Sequence, residues 1–485
     1  MNPSPVHSAT TASSSRAAAV DPRTRMLLEA PIVPTLLRLG APNVAVMAAQ
    51  AAAGLIETWF VGKLGTDALA GMALVFPAVM LMQMMSGGAM GGGIASSIAR
   101  AIGGRRHDDA NALVSHGAAI AIGFGLVFTL AVLLGGRWLY GAMGGSGAAL
   151  EAALTYSSCV FAGATLIWLF NALAAVVRGT GNMAVPALVT IAGTVLLIPL
   201  SPLLIFGWGP VPALGIAGGA IALLLYYLLG TMALAAYLMS SRSLLRPRLR
   251  GLRFQRALFW DILRVGLAGA VSTVATNVAI AVTTALVGGF GSASIAGYGT
   301  ASRLEYLLVP LVFGLGGPLV AMVGTCIGGG QRQRALHAAW LGAAIAFGLT
   351  ETIGLLAAAF PLAWLRLFDT DPAMLEAGSL YLRTVGPFYG FFGLGLTLYF
   401  ASQGAGRLKW PVLSNLARLV VGAIGGWLAL RWGGLALVFA AQALALVVYG
   451  VLNAATVAAG AWQGALHWPF ARRGIVSSAG GPPAP

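Results

Sequence analysis

The sequence is poor in charged residues. Asp, Glu, Lys and Arg make up 8% of its 485 residues, whereas hydrophobic residues make up 58%. A soluble globular domain carries about 25% charged residues. The composition therefore excludes a soluble globular protein. Its apolar runs are long enough for membrane-spanning helices, so the sequence predicts an all-α polytopic membrane protein.

Cysteine and histidine are also scarce. Cys159 and Cys326 both lie in apolar segments, and the five histidines show no metal-ligand spacing. This excludes a disulfide framework and a zinc site, and we predict no bound cofactor. The sequence also lacks the paired acids, activated nucleophile or histidine cluster that a membrane enzyme would need at depth. We therefore do not predict an enzyme.

The net charge of +15 does not indicate a nucleic-acid partner, because the basic residues are spread over many short connections. Residues 1–30 are rich in Ser, Thr, Ala and Pro and contain no signal-peptide pattern, so we predict a disordered cytoplasmic leader there. Residues 463–485 are predicted to be a cytoplasmic tail. The expected surroundings are the lipid bilayer, and the protein is expected to be a monomer.

Apolar runs bounded by charge, proline and glycine predict twelve transmembrane helices. The predicted spans are residues 35–62, 69–99, 110–135, 151–176, 184–206, 212–239, 261–288, 295–325, 335–361, 376–402, 410–430 and 434–460.

Arginine and lysine are concentrated in alternate connections. One side holds Arg100, Arg105, Arg106, Arg178, Arg332, Arg334, Arg407, Lys409 and the arginines of the stretch from Arg242 to Arg256. The other side holds Lys63, Arg137, Arg366 and Arg431. The positive-inside rule makes the basic side cytoplasmic. We therefore predict a bacterial inner-membrane protein with both termini in the cytoplasm.

The two halves of the chain repeat each other. A single offset in residue number aligns LRLG, ending at Gly40, with LRVG, ending at Gly266, and also aligns VGKLGTDALAG from Val61 with VGGFGSASIAG from Val287. One residue is lost further on, where Pro186 matches Pro411. A six-span unit repeated in the same orientation predicts two six-helix bundles with a cavity between them. The predicted lobes are residues 31–240 and 261–462, joined by a basic cytoplasmic linker at residues 241–260.

Few acids fall inside the predicted spans. Glu57 lies in the first span, where Asn43, Gln50 and Glu57 are seven residues apart and share one stripe of the helix. Glu305 lies in the eighth span beside Arg303, and Glu351 in the ninth has no polar stripe near it. In the other half of the repeat, Gln50 and Glu57 are replaced by Thr276 and Thr283. Asymmetric placement of an intramembrane acid favours a functional role.

These residues predict ion coupling through Glu57, Gln50 and Glu305. A desolvated carboxyl group can bind a proton, or it can help to hold sodium with neighbouring oxygen atoms. The polar residues predicted to line the substrate cavity are Asn43, Asn171, Thr276, Asn277, Arg303 and Tyr306. An apolar, aromatic cavity with negative charge favours small amphipathic organic cations as substrates.

The sequence resembles the multidrug and toxic compound extrusion (MATE) family. The resemblance lies in GLIETWFVGKLGTDALAG from Gly54, VVRGTGNMAVP from Val176, and RLEYLLVPLVFGLGGPLVAMVGTCIGGGQRQRA from Arg303. It implies two six-helix lobes in a V shape, and antiport of protons or sodium ions against drug-like, often cationic substrates. Within it, Glu57 stands where the family usually has an Asp in its first helix, and Gln50 matches a family Gln.

This chain differs from family patterns in three spans. One bacterial branch has an Asn and an Asp in span 5, where this sequence has Leu197 and Ser201. Another branch uses acids in spans 7 and 10, where this sequence has Thr276 and Asn277 and no acid around Phe392. Proton and sodium coupling, and one or two ion-binding lobes, therefore stay open.

The favoured hypothesis is a proton- or sodium-coupled exporter of drug-like cations. The alternative is a flippase or exporter of a lipid-linked glycan or another metabolite. A glycan-lipid flippase would need a more cationic cavity to bind phosphates, and the arginines predicted inside spans are only Arg303, Arg383 and Arg418.

Overall fold

The computed structural model describes residues 21–247, 254–368 and 370–463, and this part of the chain is helical. The helices of the first half are α1 (Pro22–Glu29), α2 (Ile32–Gly62), α3 (Thr66–Gln83), α4 (Gly91–Gly103), α5 (His107–Ala142), α6 (Gly147–Ala162), α7 (Ala164–Gly179), α8 (Ala184–Phe206) and α9 (Ile216–Met239). A π-helical segment, Met84–Met90, joins α3 to α4.

The second half has the same plan. Its helices are α10 (Arg256–Gly288), α11 (Ser292–Gly328), α12 (Arg332–Ala359), α13 (Pro361–Leu365), α14 (Pro372–Val385), α15 (Tyr389–Gly404), α16 (Lys409–Trp432) and α17 (Gly434–Ala458). A 3-10 turn, Gly386–Phe388, joins α14 to α15, and Ala461–Gln463 form a second one.

The prediction of twelve transmembrane helices in two six-helix bundles is confirmed. Within the described ranges, ten continuous helices are long and apolar enough to span a bilayer, with α3, the π segment and α4 counted as one. The bent pair α6 and α7 is the eleventh. The twelfth is the pair α14 and α15, which covers the predicted span 376–402.

Both broken spans are the fourth of their lobe, and they break at matching positions. α6 and α7 meet at an angle of 47° around Gly163. Under the offset that aligns Pro186 with Pro411, Gly163 corresponds to Phe388, the last residue of the 3-10 turn. The carboxylate of Glu351 accepts the N–H of Gly390 at 2.7 Å, just inside α15. Glu351 therefore caps the buried start of α15, a structural use of an intramembrane acid.

The predicted leader at residues 1–30 is corrected at its end. Residues 1–20 lie outside the described part, but Pro22–Glu29 form a helix, capped by Asp21, whose side chain accepts the N–H of Arg23 at 2.9 Å. Leu27 is 1% exposed. A cap, a proline in the first turn and one buried leucine stabilise this short helix, although its composition resembles that of a disordered segment.

The other predicted boundaries lie partly outside the described residues. The last five residues of the proposed 241–260 linker belong to α10, which begins at Arg256, while residues 248–253 are not described. Of the predicted tail, only Gln463 is described.

The lobes meet on one side of the molecule. We call it the basic side, and it carries the connections 104–106, 180–183, 329–331 and 405–408. Glycines allow the close approach there. A Cβ atom placed on Gly93 of α4 would lie 2.9 Å from the carbonyl oxygen of Ile262 in α10. In the described part, hydrogen bonds between the lobes lie between this side and mid-depth. The two lobes thus form a V that is closed on the basic side.

Candidate functional site

Glu57 lies inside the N-terminal lobe, about one turn from the end of α2. It is 7% exposed, and its Oε1 accepts a hydrogen bond from the Tyr156 hydroxyl at 3.3 Å. Gly219 of α9 leaves the space beside it, since a Cβ atom there would lie 3.5 Å from Oε1. The first-span acid is therefore a buried carboxyl group with one hydroxyl partner, and it faces α6 and α9 rather than the space between the lobes.

The other two residues of the predicted stripe lie in different surroundings. Gln50, two turns before Glu57, is exposed. Asn43 is half-buried between the lobes, where its Nδ2 atom lies 2.7 Å from the position of a Cβ on Gly317. The stripe therefore runs along α2 from the lobe interface to the buried acid.

Glu305 has an equivalent setting in the C-terminal lobe. Its carboxylate accepts a hydrogen bond from the hydroxyl of Tyr381 in α14. Arg418 of α16 lies in the same lobe, with its guanidinium 5.6 Å from the centre of the Tyr449 ring and 5.9 Å from that of Phe392. Among the described residues, both lobes therefore have a carboxyl group bonded to a tyrosine.

The two tyrosines are counterparts in the repeat. The offset that aligns Pro186 with Pro411 also aligns Tyr156 with Tyr381. The acids are not counterparts, because Glu57 comes from the first helix of its lobe and Glu305 from the second. Sequence reasoning missed both tyrosines, although the repeat offset contained the signal.

The predicted cavity residues are separated in the structure. Asn171 donates to the Ser86 hydroxyl at 2.9 Å, within the N-terminal lobe. Thr276 accepts from Asn415 at 3.0 Å, within the C-terminal lobe. Asn277 is exposed and donates to the carbonyl of Thr273 at 2.9 Å in its own helix.

Arg303 and Tyr306 are the other two residues predicted to line the cavity. Arg303 is exposed, and its guanidinium lies 5.5 Å from the centre of the Phe368 ring. The side chain of Tyr306 is outside the described part. Of the predicted cavity set, Asn43 is therefore the residue that the structure places in contact with both lobes, through Gly317 of α11 and Met183, whose sulfur lies 3.9 Å from Nδ2.

A second group of polar residues lies where the lobes meet, and sequence reasoning did not identify it. Gln403, near the end of α15, donates to the carbonyl of Gly88 in the π segment at 3.2 Å. Its repeat counterpart is Arg178, near the end of α7. The sequence places Arg178 among the basic residues of the connections, but its side chain extends between the lobes and lies near Gly91 and Gly317.

Two repeated six-helix lobes that meet on one side, each with an intramembrane acid bonded to a tyrosine, define a polytopic membrane transporter. The family model MatE matches residues 42–203 and 269–428. The chain belongs to the MatE family, the multidrug and toxic compound extrusion transporters.

The relatives agree with this assignment. A FAD transporter from Shewanella oneidensis is 29% identical over 401 residues, which cover 81% of this chain and 87% of the relative. A probable multidrug resistance protein NorM from Thermotoga maritima is 24% identical over 81% of this chain and 88% of its own length. Among solved structures, the outward-facing conformation of a multidrug resistance MATE family transporter matches with a TM-score of 0.78 at 24% identity, over 86% of this chain and 93% of that one.

Proposed function

We propose that this protein exports drug-like amphipathic compounds in exchange for protons, with Glu57 as the coupling acid. The observation that carries the proposal is the burial of Glu57, 7% exposed and bonded to Tyr156. A carboxyl group in a membrane helix is energetically expensive and is functional by default. Its charged and neutral forms differ in their interaction with a hydroxyl partner, so proton binding alters the packing of α2 against α6.

Protons are favoured over sodium by the ligands available. Hard cations are held by several oxygen atoms. In the part of the chain that the structure describes, the Tyr156 hydroxyl is the hydrogen-bonding partner of Glu57, and Gly219 lies on the other side. A sodium ion would have fewer protein oxygen atoms here than it prefers, whereas a proton needs one.

α2 connects the proposed proton-binding site at Glu57 to the interface between the lobes. Glu57 lies near one end of the helix, and Gly40 near the other contacts α11 through the carbonyl oxygen of Gly314, 3.3 Å from the position of its Cβ. Pro42 lies inside the helix between these points and marks a place where it can bend. We infer that protonation of Glu57 biases the contact between the lobes through this helix, and that the Glu305–Tyr381 pair is a second coupling site.

The proposed location is the bacterial inner membrane, with the basic side in the cytoplasm. Small organic cations stay a prediction for the substrates, supported by relatives named as multidrug resistance proteins. A second candidate is export of an anionic metabolite. It is supported by the relative named as a FAD transporter and by the bonding of both acids to tyrosines of their own lobes.

The test is transport by purified protein in liposomes, with pH and sodium gradients imposed separately. We expect a pH gradient to drive uptake of a cationic dye such as ethidium, and Glu57→Gln to abolish it. Glu376→Gln, which alters an exposed acid at the start of α14, is the matched control and should leave uptake unchanged. Unchanged gradient-driven uptake in Glu57→Gln, at equal protein content, would contradict the proposal.

A further inference from the structure

Arg178 lies deeper in the membrane than its place near a helix end suggests. α7 ends early, and a Cβ atom on Gly179 would lie 2.8 Å from the carbonyl oxygen of Ala95 in α4. The Nη2 atom of Arg178 lies 3.9 Å from the position of a Cβ on Gly91, the first residue of α4. At 1.5 Å per residue, Gly91 is about 18 Å from the basic-side end of α4. A hydrocarbon core is about 30 Å thick, so this guanidinium is near mid-depth.

The side chain bridges the two lobes. Besides Gly91 of the N-terminal lobe, it lies near α11 of the C-terminal lobe, where a Cβ on Gly317 would be 4.0 Å from the Cδ atom of Arg178. The same position on Gly317 is 2.7 Å from Nδ2 of Asn43. Two hydrogen-bond donors, a guanidinium and an amide, therefore lie together where the lobes join.

The guanidinium of Arg178 has no hydrogen bond or ion pair to any residue in the described ranges, although the backbone carbonyl of Arg178 accepts the N–H of Gly181 at 2.9 Å. Its repeat counterpart Gln403 is satisfied, because its amide donates to the carbonyls of Gly88 and Ala89 at 3.2 and 3.5 Å. The acids that could neutralise Arg178 are engaged elsewhere: Glu57 and Glu305 by tyrosines, and Asp261 by Arg100. A half-buried arginine without an acceptor is unfavourable unless an anion or water reaches it.

A half-buried aromatic side chain, Phe313, lies about one helical turn from Gly317. Phe313 of α11 contacts the π segment, 3.8 Å from the position of a Cβ on Gly88, and its ring lies edge-on to that of Phe400 with the ring centres 4.8 Å apart. The Phe313 ring can contact an apolar group, and the Arg178 guanidinium nearby can bind an anionic group. This pair suits a molecule that has an aromatic body and an anionic group.

We propose that Arg178 binds the phosphate or carboxylate group of an aromatic organic anion, which the protein carries between its lobes. This inference rests on the proposed transport function and names the substrate class. Arg178 forms charge-assisted hydrogen bonds to the anion, Asn43 adds an amide donor, and Phe313 contacts the apolar body.

FMN and riboflavin are suitable probes, because they share one fluorescent ring system and differ by a phosphate. Liposomes with a pH gradient are offered each flavin, and ethidium in parallel. The test variants are Arg178→Gln and Arg178→Lys. The control is Arg332→Gln, which also removes one positive charge but alters an exposed arginine at the start of α12. Quenching of flavin fluorescence by the solubilised protein measures binding independently of transport.

We expect the native protein to prefer FMN over riboflavin by at least about tenfold, as for hydrogen bonds to a charged group. Arg178→Gln should lose this preference, Arg178→Lys should keep part of it, and Arg332→Gln should keep all of it. Equal binding of both flavins by the native protein overturns the proposal, as does an unchanged preference in Arg178→Gln. Ethidium transport without FMN transport overturns the substrate class but leaves the transport function standing. If none of the three compounds moves under any gradient, the proposed function itself fails.

Discussion

Arg100 of α4 and Asp261 of α10 form an ion pair across the two lobes, with Nη2 2.8 Å from Oδ2. The arginine is 8% exposed, and its guanidinium also donates to the carbonyl of Gly404 at 3.2 Å. Arg264 binds the other carboxylate oxygen of Asp261. The contact therefore joins the start of the C-terminal lobe and the end of α15 to α4, on the basic side where the lobes are closed.

Breaking this pair should open the basic side. Asp261→Asn leaves Arg100 without its counter-ion, and for a partly exposed pair we expect a loss of about 1–2 kcal/mol from the closed state. This loss lowers the ratio of closed to open molecules by about tenfold. Spin labels at His107 and Gln333, exposed residues just past the ends of α4 and α11, would report the change as longer distances in a cysteine-free background.

Asp109→Asn is the control for that experiment. Asp109 pairs with Arg106 at 3.1 Å on the same side, but within one lobe and in a more exposed position than the Arg100–Asp261 pair. Its removal should leave the label distances unchanged. Equal distance distributions in Asp261→Asn and the native protein would show that the pair does not hold the lobes together.

The paired tyrosines should be required for full coupling. Tyr156→Phe keeps the Glu57 carboxyl group but removes its hydroxyl partner, and we expect proton-driven transport to fall several-fold, by less than in Glu57→Gln. A neutral hydrogen bond contributes about 1 kcal/mol, which is roughly fivefold in rate. Proton flux in liposomes, followed with an internal pH dye, would measure it.

Tyr381→Phe tests whether the second lobe takes part. If Glu305 also couples protons, this variant should lower the number of protons moved per substrate molecule. A normal proton-to-substrate ratio in Tyr381→Phe and in Glu305→Gln would restrict coupling to the N-terminal lobe.

Much of the architecture was predictable because it depends on local patterns. Apolar length, the distribution of arginine and the repeat of glycine-rich connections indicated twelve helices and two lobes.

The helix α1 was missed, since its stability comes from Leu27 packing against residues distant in the sequence. Gln403 and Arg178 of the lobe interface were missed for the same reason. Arg178 lies beside a loop in sequence, and only the early end of α7 reveals that its side chain lies between the lobes. The acids were identified correctly as being inside spans, but their tyrosine partners depend on tertiary packing that periodicity cannot show.

Two glycines inside transmembrane helices should respond to substitution with opposite changes in stability. Gly93→Ala places a methyl group 2.9 Å from the Ile262 carbonyl oxygen and 3.0 Å from the Gly266 nitrogen, so the lobes must separate or strain, at about 1–3 kcal/mol. Gly123 of α5 has no atom within 4 Å of its Cβ position. Gly123→Ala should stabilise the helix by up to about 1 kcal/mol. Thermal unfolding in detergent should show a lower Tm for Gly93→Ala and an equal or higher Tm for Gly123→Ala. If both variants changed the Tm in the same direction, the tight interface at Gly93 would be contradicted.

The helix α1 should act as a clamp on the basic side, because it precedes the N-terminal lobe but binds the C-terminal one. Arg334 of α12 donates through Nε to the carbonyl of Leu27 at 3.1 Å, and through Nη2 to the carbonyl of Ala30. Leu27 itself is buried, and the Cys326 thiol lies 3.7 Å from its carbonyl oxygen. Leu27→Asp puts a charge into this apolar contact and should detach α1, whereas Leu28→Asp alters a less buried neighbour. We expect labelling of Cys326 by a thiol reagent to accelerate at least several-fold in Leu27→Asp and little in Leu28→Asp. If Cys326 stays equally protected in both variants, α1 does not cover that region, and the clamp is disproved.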